Sequence, residues 1–268
     1  MLPGVYTAKK KDGTVYYRSS ITFQNKHISL GSYDSEETAN LAYLEAERLL
    51  STPSISLEHT LSHKKHLSFD KAVTLINFRD NRVYIKTPIY LRKNYFEYFL
   101  TSTVSLKFDI DDLFYYSSHR IQQRGGHLFV SDYGMQYSIL SRYGIKSHGV
   151  PGKDFLFAND DPTDYRYSNI IIINPYAGVT RTDNAGKISY QAKIHINGYF
   201  SLGTYDTDYM AAIAYNKACD LAKGMGIKKD FPVNYIDSLS ASEYAELYTN
   251  LILPEKYVTY LSDYCKSK

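Results

Sequence analysis

Two stretches of this chain repeat one another, and any fold must accommodate both. Gly4-Val5 followed by YRSSITFQNKHISLGSYDSEETANLAY (Tyr17 to Tyr43) recurs as Gly178-Val179 followed by YQAKIHINGYFSLGTYDTDYMAAIAY (Tyr190 to Tyr215). From Ser29 onward the copies run in step. Ser201-Leu202-Gly203 answers Ser29-Leu30-Gly31, and Tyr205, Asp206, Ala211, Ala214 and Tyr215 answer Tyr33, Asp34, Ala39, Ala42 and Tyr43. Two copies this far apart do not stack into a solenoid, which needs about three or more units. They read as two small modules held apart by another segment, a layout suited to an elongated target rather than a single catalytic cleft.

In the second copy Tyr190, Ala192, Ile194 and Ile196 alternate with Gln191, Lys193 and His195, the period of a strand with one apolar and one polar face. Asn197-Gly198 is a strong hairpin signal. Phe200 and Leu202 are then expected inward, Tyr199 and Ser201 outward. The first copy places Tyr17, Ile21, Phe23, Ile28 and Leu30 inward, and Arg18, Ser20, Thr22, His27 and Ser29 outward, with a turn at Gln24-Asn25-Lys26. An earlier strand starts at Gly4-Val5-Tyr6 and at Gly178-Val179-Thr180, closed by turns at Asp12-Gly13 and Ala185-Gly186. A helix follows each sheet. Asp34, with Glu37 three residues on, and Asp206 are the expected N-caps. Ala39, Ala42, Tyr43 and Ala46 share one helix face, as do Ala211, Ala214, Tyr215 and Ala218, and alanines let a helix lie close on a sheet. The helix therefore covers the apolar side of each three-stranded sheet. The polar side stays open, either to solvent or to a DNA major groove, where strands can read base edges.

At 268 residues the chain has room for two or three small domains, and 44% hydrophobic content is ordinary for a globular protein. Trp is absent while Tyr reaches 28, so most aromatic rings carry a hydroxyl able to bond a phosphate, a base or water. A net charge of +3 is mild, so nucleic-acid binding would depend on a few well-placed cations. Cys219 and Cys265 make neither a ligand spacing nor a disulfide framework, which suggests a reduced compartment. Met1-Leu-Pro-Gly leads straight into the first repeat with no signal peptide, and no apolar run is long enough for a bilayer. A cytoplasmic protein with no membrane contact is expected.

Gly-Val, a strand, S-L-G-[ST]-Y-D and a helix carrying A-x-x-A-Y resemble the Apetala-two (ethylene-response-factor) DNA-binding domain, in both copies. The resemblance implies that the sheet, not the helix, docks in the major groove of double-stranded DNA. Its contact positions fall on Tyr6, Ala8, Ser20, Thr22, His27 and Ser29, and on Thr180, Thr182, Lys193, His195, Tyr199 and Ser201. The plant domains carry mostly Arg and Trp there, and this chain mostly does not. Lys9, Lys10, Lys11, Arg18, Arg181 and Lys187 are the expected phosphate contacts.

Between the copies, Ser51 to Ser68 reads as a linker whose His59, His63 and His66 lack a carboxylate or Cys to complete a metal set. Val104 to Phe108 reads as a strand, Asp109 to Tyr116 as a short acidic-capped helical turn, and Arg120 to Val130 as a hairpin about Gly125-Gly126. DFLFANDDPTDYRYSNIIIIN (Asp154 to Asn174) resembles the core of HNH-type homing endonucleases, which often carry an Apetala-two domain; KFDIDDLFYYSSHRIQQRGGHLF resembles its lead-in. That family implies a His general base and further His or Asn side chains holding a metal. Asn159, Asp161, Asp164, Arg166 and Asn169 keep the scaffold pattern, but the His falls at Phe157 and the Asn of D-N-R at Tyr165. Phenylalanine neither accepts a proton nor binds a hard cation. A non-catalytic remnant with no cofactor is expected, His148 in its Ser-His-Gly-Val-Pro-Gly turn being the nearby group able to substitute.

The tail from Ser240 splits at Pro254 into two helices with stripes Tyr244, Leu247, Leu251 and Tyr257, Tyr260, Leu261, which pack on the body or on a twin subunit. The expected class is α+β. A module at 1–52 and a linker at 53–68 precede a degenerate HNH-like α+β domain at 69–174, with a second module at 175–238 and a helical tail at 239–268. The expected function is sequence-directed binding of double-stranded DNA by a regulator of a phage or other mobile element, nucleoid-associated in a bacterial cell or infected host. An active HNH endonuclease, and an inhibitor binding a nuclease or host-defence protein through the old DNA faces, are the alternatives. A homodimer is a further open state.

Overall fold

The computed structural model describes residues 1–63 and 66–266. Lys64 and Lys65 of the expected linker, and Ser267 and Lys268 of the expected tail, lie outside the described residues. The fold is mixed α+β, made of small antiparallel sheets with helices laid on them. The chain divides into two compact units, Met1–Tyr137 with Asp161–Asn169, and Ser138–Asp160 with Ile170–Lys268. The stretch expected as one domain at 69–174 is thus shared between both units.

In the first unit β1 (Val5–Lys9), β2 (Val15–Phe23) and β3 (Lys26–Tyr33) form an antiparallel meander, and α1 (Glu36–Ser51) lies across it. Gln24 and Asn25, both at positive φ, make the hairpin between β2 and β3. Ser19 pairs with Gly31 and Ser20 with Ser29, so Leu30 is an extra residue in β3, a bulge. The cap of α1 is Ser35, not Asp34: its side chain accepts the Thr38 amide. Val5, Ile21, Ile28, Leu30, Ala39, Ala42 and Ala46 are buried between sheet and helix. Each large aliphatic side chain there contributes about 1.5–3 kcal/mol. Gly4 is where the chain enters β1, at φ +72, and a Cβ on it would lie 2.0 Å from the Tyr43 ring. Only glycine lets backbone and ring approach this closely.

The stretch expected as a linker instead carries α2 (Leu57–His63), whose Leu57 and Thr60 are buried. α3 (Phe69–Asn81) then packs on α1, and Leu49, Leu50, Leu57, Leu67, Val73 and Ile76 join the core of the first module. Buried Arg79 fixes the junction by donating to the carbonyls of Leu49, Thr52 and Ile55 at 2.8, 3.1 and 2.9 Å. These close the end of α1. Next come β4 (Ile89–Leu91), β5 (Tyr95–Phe99) and β6 (Ser105–Asp109) in one sheet, then α4 (Leu113–Ser118), whose Tyr116 ring sits on Phe108 at 4.5 Å. β7 (Ile121–Arg124), β8 (His127–Asp132) and β9 (Met135–Ser138) make a further small sheet.

In the second unit β10 (Phe155–Phe157) pairs with β11 (Ile170–Ile172). β12 (Val179–Asn184), β13 (Lys187–His195) and β14 (Tyr199–Tyr205) repeat the meander under α5 (Asp208–Gly224). The bulge recurs, with Ala192 opposite Gly203 and Lys193 opposite Ser201. The helix cap is Thr207 rather than Asp206, accepting the Met210 amide. Gly178 repeats Gly4, its absent Cβ lying 2.0 Å from the Tyr215 ring. The Tyr205 hydroxyl donates to the Leu202 carbonyl at 2.9 Å, stapling the bulge. As the stripes predict, α6 (Ala241–Asn250) and α7 (Glu255–Lys266) pack on this core, with Tyr257 and Leu261 buried and the Tyr257 hydroxyl donating to the Ala218 carbonyl at 2.8 Å.

Candidate functional site

Strand parity sorts the predicted residues of the first unit. Tyr6 sits beside Arg18, Ala8 beside Tyr16, Ser20 beside Ser29 and Thr22 beside His27, all on the side of the sheet away from α1. Tyr6 is 55% exposed, and Arg18, Thr22, His27 and Ser29 are exposed too. Arg18 is pre-ordered: its Nε and one Nη donate to the Tyr16 hydroxyl at 3.1 and 2.7 Å. A guanidinium held this way loses less freedom on meeting a ligand.

Some expected contacts fall elsewhere. Ser20 has the outward register but is only 8% exposed, its short side chain shielded among its longer neighbours, so it offers no free contact. Lys9 pairs with Val15 on the helix side of the sheet and reaches solvent only at the strand end. Lys10 and Lys11 belong to the turn that the Lys10 amide closes on the Thr14 carbonyl at 2.9 Å.

In the second unit Thr180, Gln191 and Thr204 line up across the open face, followed by Thr182 with Ser189, Lys193 with Ser201, and His195 with Tyr199. Tyr199 is 79% exposed, and its ring lies 4.7 Å from that of His195. Lys229, from the chain after α5, donates to the His195 carbonyl at 2.7 Å and lies 3.1 Å from its Nδ1. Lys187 opens β13 opposite Asn184, exposed and on the open side. Arg181 does not share that side. It lies opposite Tyr190, whose other partner is Tyr205, and pairs with Asp183 at 3.8 Å. A residue one step along a strand faces the other way.

The endonuclease-like residues are divided. Asn159 falls in the second unit, and Asp161, Asp164, Arg166 and Asn169 in the first. Asp161 accepts from Lys107 Nζ at 2.8 Å, and from the Thr163 amide and hydroxyl at 2.9 and 2.6 Å. The Lys107 bond, then those of Thr163, hold its carboxyl down to about 2. Buried Asp164 makes a two-pronged pair with Arg166 at 2.8 and 2.5 Å, which raises the guanidinium further above its usual range. Asn169 donates to the Asp164 carbonyl at 2.8 Å. The Lys107 amide and carbonyl bond Thr163 and Tyr165, both at 2.8 Å, so the whole segment is fastened to β6. These carboxylates are neutralised by the chain's own cations. Phe157, opposite Ile170, offers only hydrocarbon, and burial pushes the Tyr165 hydroxyl up. His148 lies in a turn of the second unit.

The His59 and His63 rings stack at 4.3 Å. Among the described residues no group of three or more His, Cys, Asp or Glu is arranged to hold a metal ion, and no helix is long and apolar enough to cross a membrane. Sequence reasoning missed Tyr16, Gln191 and Thr204, which the same period-two count reaches when carried one step further. Lys229 gave no such signal, because a chain segment beyond the helix delivers it. Compared with known proteins, this chain matches no family model, no curated protein and no solved structure.

Proposed function

We propose that this protein binds double-stranded DNA in a sequence-directed way through the open faces of its two repeated sheets, as a regulator of a phage or other mobile element without nuclease chemistry of its own. One observation carries the reading. Each copy covers one side of its sheet with a helix and leaves the other open, with Arg18, Thr22 and His27 on one and Lys193, His195 and Tyr199 on the other. Strand side chains of this kind can donate to base edges in a major groove about 12 Å wide. The resemblance to Apetala-two domains supports the same use of the sheet. The net charge of +3 makes affinity depend on these few cations. The fastening of Asp161 to Lys107 and of Asp164 to Arg166 supports a framework role for the endonuclease-like segment.

A protein partner is the second reading, favoured by the exposed Tyr6 and Tyr199 rings. Salt separates the two. Across about 50 to 200 mM salt, duplex affinity through phosphates falls steeply, with a log–log slope near −0.9 per neutralised phosphate. Absent or salt-insensitive duplex binding points to the protein partner. Plasmid DNA incubated with divalent cations should stay intact; cutting that His148→Ala abolishes would overturn the non-catalytic part.

A further inference from the structure

We infer that the two open faces read different base sequences, so that the target is a duplex site with two unlike parts rather than a direct or inverted repeat. This rests on the DNA-binding reading above, and it comes from what the duplication kept and what it changed. Register pairs the copies residue by residue. The covered side persists: Val5 and Val179, Ile21 and Ile194, Leu30 and Leu202, Ala42 and Ala214. The open side does not. Tyr6 becomes Thr180, Arg18 becomes Gln191, Ser20 becomes Lys193, Thr22 becomes His195 and His27 becomes Tyr199; along that side Ser29 and Ser201 alone agree.

The chemistry has moved as well as changed. The fixed cation of the first face, Arg18, stands where the second has the amide of Gln191, and the cation of the second, Lys193, stands where the first has shielded Ser20. Two residues along a strand is about 6.6 Å, close to two base-pair steps of about 3.4 Å each. Arg and Lys suit the O6 and N7 acceptors of guanine, whereas a side-chain amide suits N6 and N7 of adenine. The preferred guanine therefore falls at a different step in each part. Lys229 adds a further difference. Its ammonium can only donate, so Nδ1 of His195 accepts and the ring hydrogen sits on Nε2. His195 thus offers a fixed donor where Thr22 offers a rotatable hydroxyl.

Selection of bound duplexes from a random pool by the full-length chain tests this. Two unlike short motifs in each enriched duplex are expected. Arg18→Ala should erase one of them, and Lys193→Ala with Lys229→Ala the other, with unfolding midpoints unchanged because these side chains are at the surface. One motif occurring twice would overturn the inference and leave DNA binding standing, as would equal loss of both motifs in either variant. No enrichment of any duplex would remove the DNA-binding reading and this inference with it. The unsubstituted chain alone decides between these outcomes, whatever the variants do.

Discussion

Gly178→Ala should destabilise the second unit by about 2–5 kcal/mol, a sum of two separable costs. The first is backbone strain. Gly178 has φ +71, and an L residue in that left-handed region costs about 1–2 kcal/mol. The second is overlap. The new Cβ would lie 2.0 and 2.3 Å from two carbons of the Tyr215 ring and 2.7 Å from the Lys193 carbonyl oxygen. Carbon atoms settle at about 3.5–4.0 Å, so the ring must retreat. Tyr215 is only 6% exposed and packs within the core that holds Ala218 and Cys219, where overpacking costs about 1–3 kcal/mol. Gly186→Ala is the control. Gly186 has φ +86 and nothing within 4 Å of its would-be Cβ, so it carries the first cost alone. Urea unfolding followed by circular dichroism should place Gly178→Ala about 1–3 kcal/mol below Gly186→Ala. Gly4 and Gly13 form the same comparison in the first unit, with the Tyr43 ring at 2.0 Å and open space respectively. Equal losses at the crowded and the open glycine would refute the packing account of the repeated Gly-Val and Ala-Tyr signatures.

Three further outcomes are expected. Arg18→Ala combined with Lys193→Ala should weaken duplex binding and flatten its salt slope by about 1 for each phosphate no longer neutralised, read by fluorescence anisotropy; unchanged affinity would count against the sheet faces. Asp161 is held down to about 2 when folded, against about 3.9 in an unfolded chain, so its contribution is fully present above pH 4 and disappears as pH falls through about 2. Asp161→Asn should therefore show a shallower acid loss of urea midpoint over that window, and an identical profile would contradict the Lys107 pairing. Lys217 Nζ donates to the carbonyls of Tyr248, Thr249 and Leu251 at 2.7, 3.2 and 2.7 Å, closing the end of α6. Lys217→Met should cost about 1.5–3 kcal/mol and speed amide exchange in α6 more than in α5; uniform exchange would argue against a local role.

The modules were the most legible part of the sequence because their signals are local. Alternation of Lys193 and Ile194, the Asn197-Gly198 turn and the alanine stripe of α5 each act over a few residues. Helix caps slipped by one position, to Ser35 and Thr207, since an Asp-Ser or Asp-Thr pair offers two capping oxygens and geometry chooses. Ser20 looked like a contact because parity fixes direction but says nothing of how far a short side chain rises above its neighbours. The linker misled for a different reason. Its polar composition hid Leu57 and Thr60, which are buried only because α1 and α3 converge there, and the role of Arg79 depends on carbonyls far away in sequence. Lys107 meeting Asp161, and Lys229 meeting His195, are likewise products of tertiary folding that no local pattern announces.

Each unit is assembled from two separated stretches of the chain. A crossover between genes at a single point can therefore carry off neither one whole. Exchange after Tyr137 would deliver β6 without Asp161–Asn169, leaving Lys107 with no Asp161 to meet. The halves descend as one heritable block, and whatever each sheet face learns to recognise is passed on together with the other.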